Sequence, residues 1–281
     1  MIRTKSFDNT DPILYLIATP IGNLSEISER ALEVLRDVDF VAAEDTRNAR
    51  ALLLHYGVKK DCISLREHNE VQASLNIISL LKDGKKIAYM SDAGYPGISD
   101  PGAILVRKAI EAGIKVSTIS GSSAFLNALV SSGLPTDHFY FFGFVSPKEK
   151  EAINQLTSLK EMKDTLIFYE SPHRLFKTLR IMEKIFGNRG IVVARELTKI
   201  NEEYIRGKIK EIIDLEQEGL KGEIVVLVSG SHEEIVLDDE TLKRRVSLLS
   251  QKGLSTKDAI EITSEEFSVS KNYIYDLVHK K

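Results

Sequence analysis

The feature that most constrains this chain is an alternation of short, apolar, strand-like runs with amphipathic stretches. Ile13–Ala18, Phe40–Ala43, Lys86–Met90 and Lys115–Ile119 read as strands. Between them, Ser28–Val38 places Ala31, Leu32, Val34, Leu35 and Val38 at helical spacing, and Asn48–His55, Val71–Lys82 and Pro101–Ala112 read as further helices. Strands that are largely apolar and are separated by helices predict a parallel sheet covered on both faces. Beyond Gly121–Phe125 the alternation resumes. Thr165–Tyr169, Ile191–Ala194, Ile200–Arg206 and Glu223–Val228 are the expected strands, and Leu156–Lys163, His173–Phe186 and Lys208–Gln217 the expected helices.

A chain of 281 residues exceeds one comfortable core, which predicts an α/β protein of two α/β domains and a smaller piece. The expected bounds are 1–121, 122–231 and 232–281. The last segment opens on an acidic stretch, His232–Glu240, expected as a linker. Residues 241–281 then carry eight Lys/Arg against five Asp/Glu in a pattern that resembles a helix-turn-helix: a helix, Gly253, Thr256–Phe267, then Lys271–His279, with Ser255 and Ser270 placed as N-caps. It reads either as a helical cap on the body or as a nucleic-acid-contacting module.

Hydrophobic residues at 43% and charged residues at 28% are ordinary for a globular protein and argue against disorder. No apolar run approaches the roughly 20 residues that cross a bilayer, and Met1–Asp11 is polar, without a signal core. The single cysteine, Cys62, suits a reducing cytoplasm, and the six histidines show no metal-ligand spacing. The net charge of −3 does not advertise a nucleic-acid binder, although basic clefts can sit on an acidic protein.

Polar clusters follow the strands, where open α/β sheets bind ligands. Thr19-Pro20-Ile21-Gly22-Asn23 follows the first strand. Without a G-x-G-x-x-G pattern it does not support a dinucleotide site. Glu44-Asp45-Thr46-Arg47 follows the second and reads as a ribose-orienting or cation-binding group, or as a cap for the next helix. Ser91–Gly102 (SDAGYPGISDPG) is the most informative stretch: its glycines admit close approach of backbone to ligand, and its aspartates suit a cationic or amino-bearing ligand rather than a triphosphate. Ser120-Gly121-Ser122-Ser123-Ala124 offers backbone N–H groups to a carboxylate, or serves as a hinge. In the second half Tyr169–Arg174 (YESPHR) and Ala194–Lys199 (ARELTK) end strands with acids and cations, which either neutralise phosphates or form a salt-bridged rim. Gly222-Glu223 opens the last strand.

Taken in order, these seven motifs resemble the tetrapyrrole methylase superfamily, from about Leu14 to Val228. Within it they resemble the bacterial branch that acts on the cytidine 2′-hydroxyl of small-subunit ribosomal RNA. TPIGN, EDTR, ESPHR and ARELTK chiefly carry that closer likeness, because tetrapyrrole-acting members lack them. TPIGN also stands where those members have a G-x-G-x-G-D loop, which disfavours a tetrapyrrole substrate.

The resemblance implies a class III methyltransferase fold with S-adenosylmethionine held, folded, between two α/β domains. It further implies a cytoplasmic homodimer and a cytidine ribose in the decoding region of 16S ribosomal RNA, free or in the assembled 30S subunit, as acceptor. Membrane and DNA are not implied partners. Because the sulfonium donor is already activated, no metal is implied. Expected cofactor contacts are Pro20, Ser91, Asp92, Ala93, Gly94, Gly97, Ser122, Ser123, Ala124, Tyr169, Glu170, Gly222 and Glu223. Expected catalytic residues are Glu44, Asp45, Arg47, Glu170, His173, Arg174, Arg195 and Lys199. The alternatives are a methylase of a small molecule such as a precorrin, which would not need the basic tail, and a non-catalytic RNA-binding assembly factor.

Overall fold

The computed structural model describes residue 5 and residues 12–231, 239–267 and 269–279. Most of the 232–240 linker and the polar N-terminus lie outside the described residues. The described chain forms two compact units, 1–231 and 232–281.

The first unit holds two five-stranded sheets. The first sheet comprises β1 (Ile13–Ile17), β2 (Phe40–Ala43), β3 (Asp61–Ser64), β4 (Ile87–Met90) and β5 (Lys115–Ile119), in the order β3-β2-β4-β1-β5. All its pairings are parallel, as the apolar runs predict. The period-two alternation of side chains sends Leu14, Leu16, Ala42, Ile87 and Tyr89 to one face. There they meet α3 (Glu70–Lys82) and α4 (Ala103–Glu111). Ile17, Val41, Ala43, Ala88 and Met90 face the other way, against α1 (Glu29–Asp37) and α2 (Thr46–His55).

The second sheet comprises β6 (Phe139–Phe144), β7 (Thr165–Glu170), β8 (Gly190–Arg195), β9 (Glu203–Lys208) and β10 (Ile224–Val228), in the order β6-β7-β10-β8-β9. Only β6 and β7 pair in parallel; β7, β10, β8 and β9 are antiparallel neighbours. One face packs on α6 (Glu149–Ser158), α7 (Leu175–Phe186) and α8 (Ile209–Ile213). The other face, with Ile167, Val192, Ala194, Val225 and Leu227, receives Ala128 and Leu129 of α5 (Ala124–Ser132) and Ile21 from the loop after β1. Ile21 thereby seats the first half's loop on the second half's sheet.

Several bounds differ from the sequence expectation. The helix expected at Leu156–Lys163 lies earlier, because its buried pair is Ala152 and Leu156, one helical turn apart. The strand expected from Ile200 begins at Glu203; Ile200 is 99% exposed in the turn before it. The expected helix Lys208–Gln217 is α8 followed by a 3₁₀ turn, Asp214–Glu218.

In the second unit α9 (Asp239–Gln251), α10 (Thr256–Phe267) and α11 (Lys271–His279) pack around Leu242, Val246, Leu249, Ala259, Ile260 and Ile274. The Ser255 hydroxyl caps α10 by accepting the Asp258 N–H at 3.2 Å.

Candidate active site

The site forms where the first sheet ends. β1 and β4 are neighbours, yet the helices that follow them, α1 and α4, cover opposite faces of the sheet. Such a switch opens a crevice beyond the carboxyl ends of the strands. The loops there are tied together by the main chain. Thr19 N–H donates to the Gly94 carbonyl at 2.9 Å, Gly94 N–H returns to the Thr19 carbonyl at 3.0 Å, and the Thr19 hydroxyl donates to the Ser91 carbonyl at 3.2 Å. Gly94 has φ +74°, a conformation open to glycine at little cost. The Tyr95 hydroxyl accepts the Gly121 N–H at 3.1 Å, joining the glycine-rich loop to the one after β5.

Two adjoining hollows result. The first, about 430 Å³, has the Ala93–Tyr95 and Ile98–Asp100 segments on one side and the strand ends of the second sheet on the other. Phe125, Phe144 and Tyr169 give it an aromatic wall; the Phe144 and Tyr169 rings lie 5.5 Å apart. Ser123 and Ala124, at the start of α5, line it as well, so this helix presents its N-terminus to the cavity. Burial pushes the Tyr169 hydroxyl up to about 12, opposed by the Phe125 backbone N–H. Asp100 also lines this cavity, and its carboxyl is pushed up to about 6 by burial and by the negative field of Glu44, with Asp92 adding to it.

The second hollow, about 440 Å³, shares Ile21, Ala93 and Glu223 with the first. Pro20, Ala49, Leu52 and Met90 give it apolar walls, and Asn48, His55, Ser91, Asp92, Lys199 and Glu223 are its polar lining residues.

The residues singled out in the sequence distribute as follows. Gly94, Ser123, Ala124, Tyr169, Glu170 and Gly222 line the first hollow; Pro20, Ser91, Asp92 and Lys199 line the second; Ala93 and Glu223 form the partition. Gly97 lines a separate depression beside α4. The Ser122 hydroxyl donates to the Glu26 carboxylate at 2.9 Å. Asp45 caps α2 by accepting the Arg47 N–H at 2.8 Å, and an ion pair with Arg47 holds its carboxyl well below the usual range. Burial and Asp92 raise the Glu44 carboxyl, against the pull of Arg66.

The Glu170 carboxylate is buried, accepting the Ser171 N–H and the Thr178 hydroxyl, with the Arg174 guanidinium 3.4 Å away. Arg174 also donates to the Val145 carbonyl, and His173 is exposed. Arg195 pairs with Glu203 and donates to the Lys221 carbonyl. Phe125 and Phe144 line the first hollow without having been singled out as site residues, while Asp100 and Leu197 line it from inside the glycine-rich and ARELTK motifs. Among the described residues no group of three or more His, Cys, Asp or Glu side chains is arranged to hold a metal.

Lys199 braces the partition. Its ammonium donates to Glu196 at 2.9 Å and to Glu223 at 3.0 Å, and its stem lies against Gly22, where a Cβ would come within 2.6 Å of the Lys199 Cγ. Burial lowers the Lys199 ammonium, but hydrogen bonds to the two carboxylates outweigh it and leave its pKa raised. Glu196 and Thr198 adopt φ of +51° and +66°, strained for side-chain-bearing residues. At Gly222, φ is +93° and a Cβ would overlap the Glu196 side chain. Gly222→Ala is therefore expected to dislodge Glu196 and lower stability by about 1–3 kcal/mol, read by denaturant titration. A variant as stable as the parent would refute it.

The chain belongs to the tetrapyrrole methylase family: residues 13–213 match the family described as Tetrapyrrole (Corrin/Porphyrin) Methylases. It is a methyltransferase. Among its relatives, the ribosomal RNA small subunit methyltransferase I of Bacillus subtilis (strain 168) is 43% identical over 288 residues, covering 99% of each chain. The protein of that name from Pasteurella multocida (strain Pm70) is 42% identical, over 95% of this chain and 97% of that one. The fold is shared with the uroporphyrin-III-C-methyltransferase of Thermus thermophilus, at TM-score 0.56 and 18% identity over 78% of this chain and 94% of that one. It is shared also with the methyltransferase CobJ, at TM-score 0.60 and 16% identity over 79% and 95%.

Proposed function

We propose that this protein transfers a methyl group from S-adenosylmethionine to the 2′-hydroxyl of a cytidine in the decoding region of small-subunit ribosomal RNA, acting in the cytoplasm as a homodimer. The observation that carries the reading is the pair of hollows sharing one wall, one fitted to the donor and one left for an acceptor. Near-full-length relatives named for methylation of small-subunit ribosomal RNA support the choice of acceptor.

The first hollow fits the donor chemically. Its aromatic wall suits a purine, the start of α5 suits a carboxylate, and Asp100 suits a cation. When bound, S-adenosylmethionine supplies a methyl group already activated on sulfur, so the reaction needs no metal. The chain's own residues supply position: aligning hydroxyl, methyl and sulfur in line can account for a large part of the acceleration. The proton of the ribose hydroxyl passes to the carboxylate of Glu44 or Asp100, directly or through one water. In this reading the exposed Arg47 after β2 and the exposed cations of the helical tail meet the RNA backbone.

Asp100 gives the reading a pH signature. Its folded pKa, raised to about 6, lies above the value near about 4 of an unfolded chain. Between those values the folded state holds more protons, so Asp100 makes stability fall as pH rises. A cation beside it favours the ionised form, so donor affinity is expected to rise about fivefold between pH 5 and 7, the part of a one-unit pKa shift by a neighbouring cation that falls in that window. Asp100→Asn should flatten that dependence. Calorimetric titrations at several pH values test it, and an undiminished slope in the variant would remove Asp100 from the donor site.

The reaction itself is tested by incubating the protein with labelled donor and undermethylated small ribosomal subunits, then mapping the label. Label on a cytidine 2′-oxygen is the expected result. Label only on a small molecule, or none, rejects the reading.

A further inference from the structure

We infer that the second hollow is the pocket for the acceptor base, and that Asp92 with Asn48 reads the exocyclic amino group of a cytosine. This rests on the reaction proposed above and assigns its acceptor subsite. The hollow shares Ile21, Ala93 and Glu223 with the donor cavity, so an occupant reaches the methyl group without leaving the crevice. Its volume of about 440 Å³ accommodates a nucleoside. The apolar side chains of Leu52 and Met90 suit the faces of a base, and among its polar lining residues Asn48 and Asp92 are hydrogen-bonded to each other.

The polar pair is specific in character. The Asn48 amide donates to the Asp92 carboxylate at 2.8 Å, which fixes both side chains against each other. Asn48 comes from α2 and Asp92 from the loop after β4, so two separate elements converge on this contact. A carboxylate has about four lone-pair sites, so it accepts further protons beyond the one from Asn48. The Asn48 amide has a second proton to donate. An acceptor beside a donor matches the cytosine edge, where the N4 amino group donates and N3 accepts. Uracil puts a carbonyl oxygen where cytosine has its amino group, and that oxygen would face the carboxylate unpaired.

Both side chains are exposed at the mouth of the hollow, so replacing them does not open a cavity in the core. The test uses small-subunit RNA carrying either cytidine or uridine at the methylated position. The parent protein is expected to prefer cytidine by about 100-fold in kcat/KM. Asp92→Asn, which turns an acceptor edge partly into a donor, should lower the cytidine rate and reduce the preference at least tenfold, while the dissociation constant for the donor stays within twofold. Asn48→Ala should move both quantities in the same direction. A preference unchanged in Asp92→Asn overturns the assignment. So does a tenfold loss of donor affinity in that variant, which would place Asp92 in the donor site. A parent protein that labels no ribosomal RNA sinks the reaction and this pocket with it. A parent that labels RNA while the variants keep its base preference sinks the pocket alone.

Discussion

Glu44→Gln is expected to slow methyl transfer by between about 10² and 10⁴, the range spanned by general bases, while leaving donor affinity near that of the parent. Glu44 directly follows β2, whose last residue, Ala43, is level with Met90 at the end of β4. It therefore stands beside the start of the Ser91–Gly102 loop. Its carboxyl is raised first by burial and then by Asp92, and it in turn raises Asp100. Asp92 faces the second hollow and Asp100 the first, so Glu44 is coupled electrostatically to both compartments. A raised carboxyl is a stronger base once ionised, which favours it for drawing a proton from a weakly acidic hydroxyl. The sign of the pH effect follows: only the ionised form accepts the proton, so the rate rises with pH through the raised pKa of this acidic group. Glutamine keeps the shape and removes both the acid limb and the rate. The decisive measurement is single-turnover transfer with labelled donor across pH 4 to 8. A glutamine variant within threefold of the parent would dismiss Glu44 as proton acceptor and leave the role to Asp100.

The inner strands of the first sheet were legible because they are buried on both faces: Ile87–Met90 announces itself as an apolar run flanked by turns, within a residue of its expected bounds. Lys115–Ile119, an edge strand with Thr118 exposed, was legible instead from its β-branched residues. β3 was not legible, because Asp61–Ser64 is an edge strand with no fully buried residue and no apolar run. β6 has five aromatic residues yet alternates poorly, since a bulge shifts its register between Phe141 and Gly143, where φ is +81°. The direction of strands in the second sheet was not legible at all. Antiparallel pairing of β7, β10 and β8 depends on connections whose paths apolar periodicity does not encode.

In the site, motif residues mark the loops but not which side chain faces which hollow. Ser91, Asp92 and Gly94 lie within four positions of one another, yet Ser91 and Asp92 line one hollow and Gly94 the other, because Ala93 stands on the partition between them. Phe125 and Phe144 are far apart in sequence and converge only after α5 has packed on the second sheet.

Glu70 is the clearest case of a residue that sequence reasoning passes over, and it should carry a large share of the loop's order. It opens α3, far from every motif, and is 7% exposed. One of its carboxylate oxygens accepts the Gly102 N–H at 2.8 Å and the Ile104 N–H at 2.9 Å, capping α4 from a neighbouring helix. The negative charge also complements the positive end of the α4 dipole. Beside it, the Tyr89 hydroxyl donates to the Pro101 carbonyl at 2.6 Å, and the Tyr89 ring closes on Gly102, where a Cβ would come within 2.6 Å of its edge. Glu70 and Tyr89 together therefore hold the C-terminal end of the loop that carries Asp100.

Glu70→Ala leaves two backbone donors without that acceptor, at about 1–3 kcal/mol for each buried group, and the expected loss of stability is about 2–4 kcal/mol by denaturant titration. Glu70→Gln retains the accepting oxygen and should lose only about 1 kcal/mol, the difference between a charged and a neutral acceptor. Donor affinity should fall in the same order, because Asp100 lies only two residues before Gly102. If alanine and glutamine prove equally stable, the carboxylate is not the cap that orders this loop. If alanine unfolds more easily yet binds donor like the parent, the loop is ordered by Tyr89 alone.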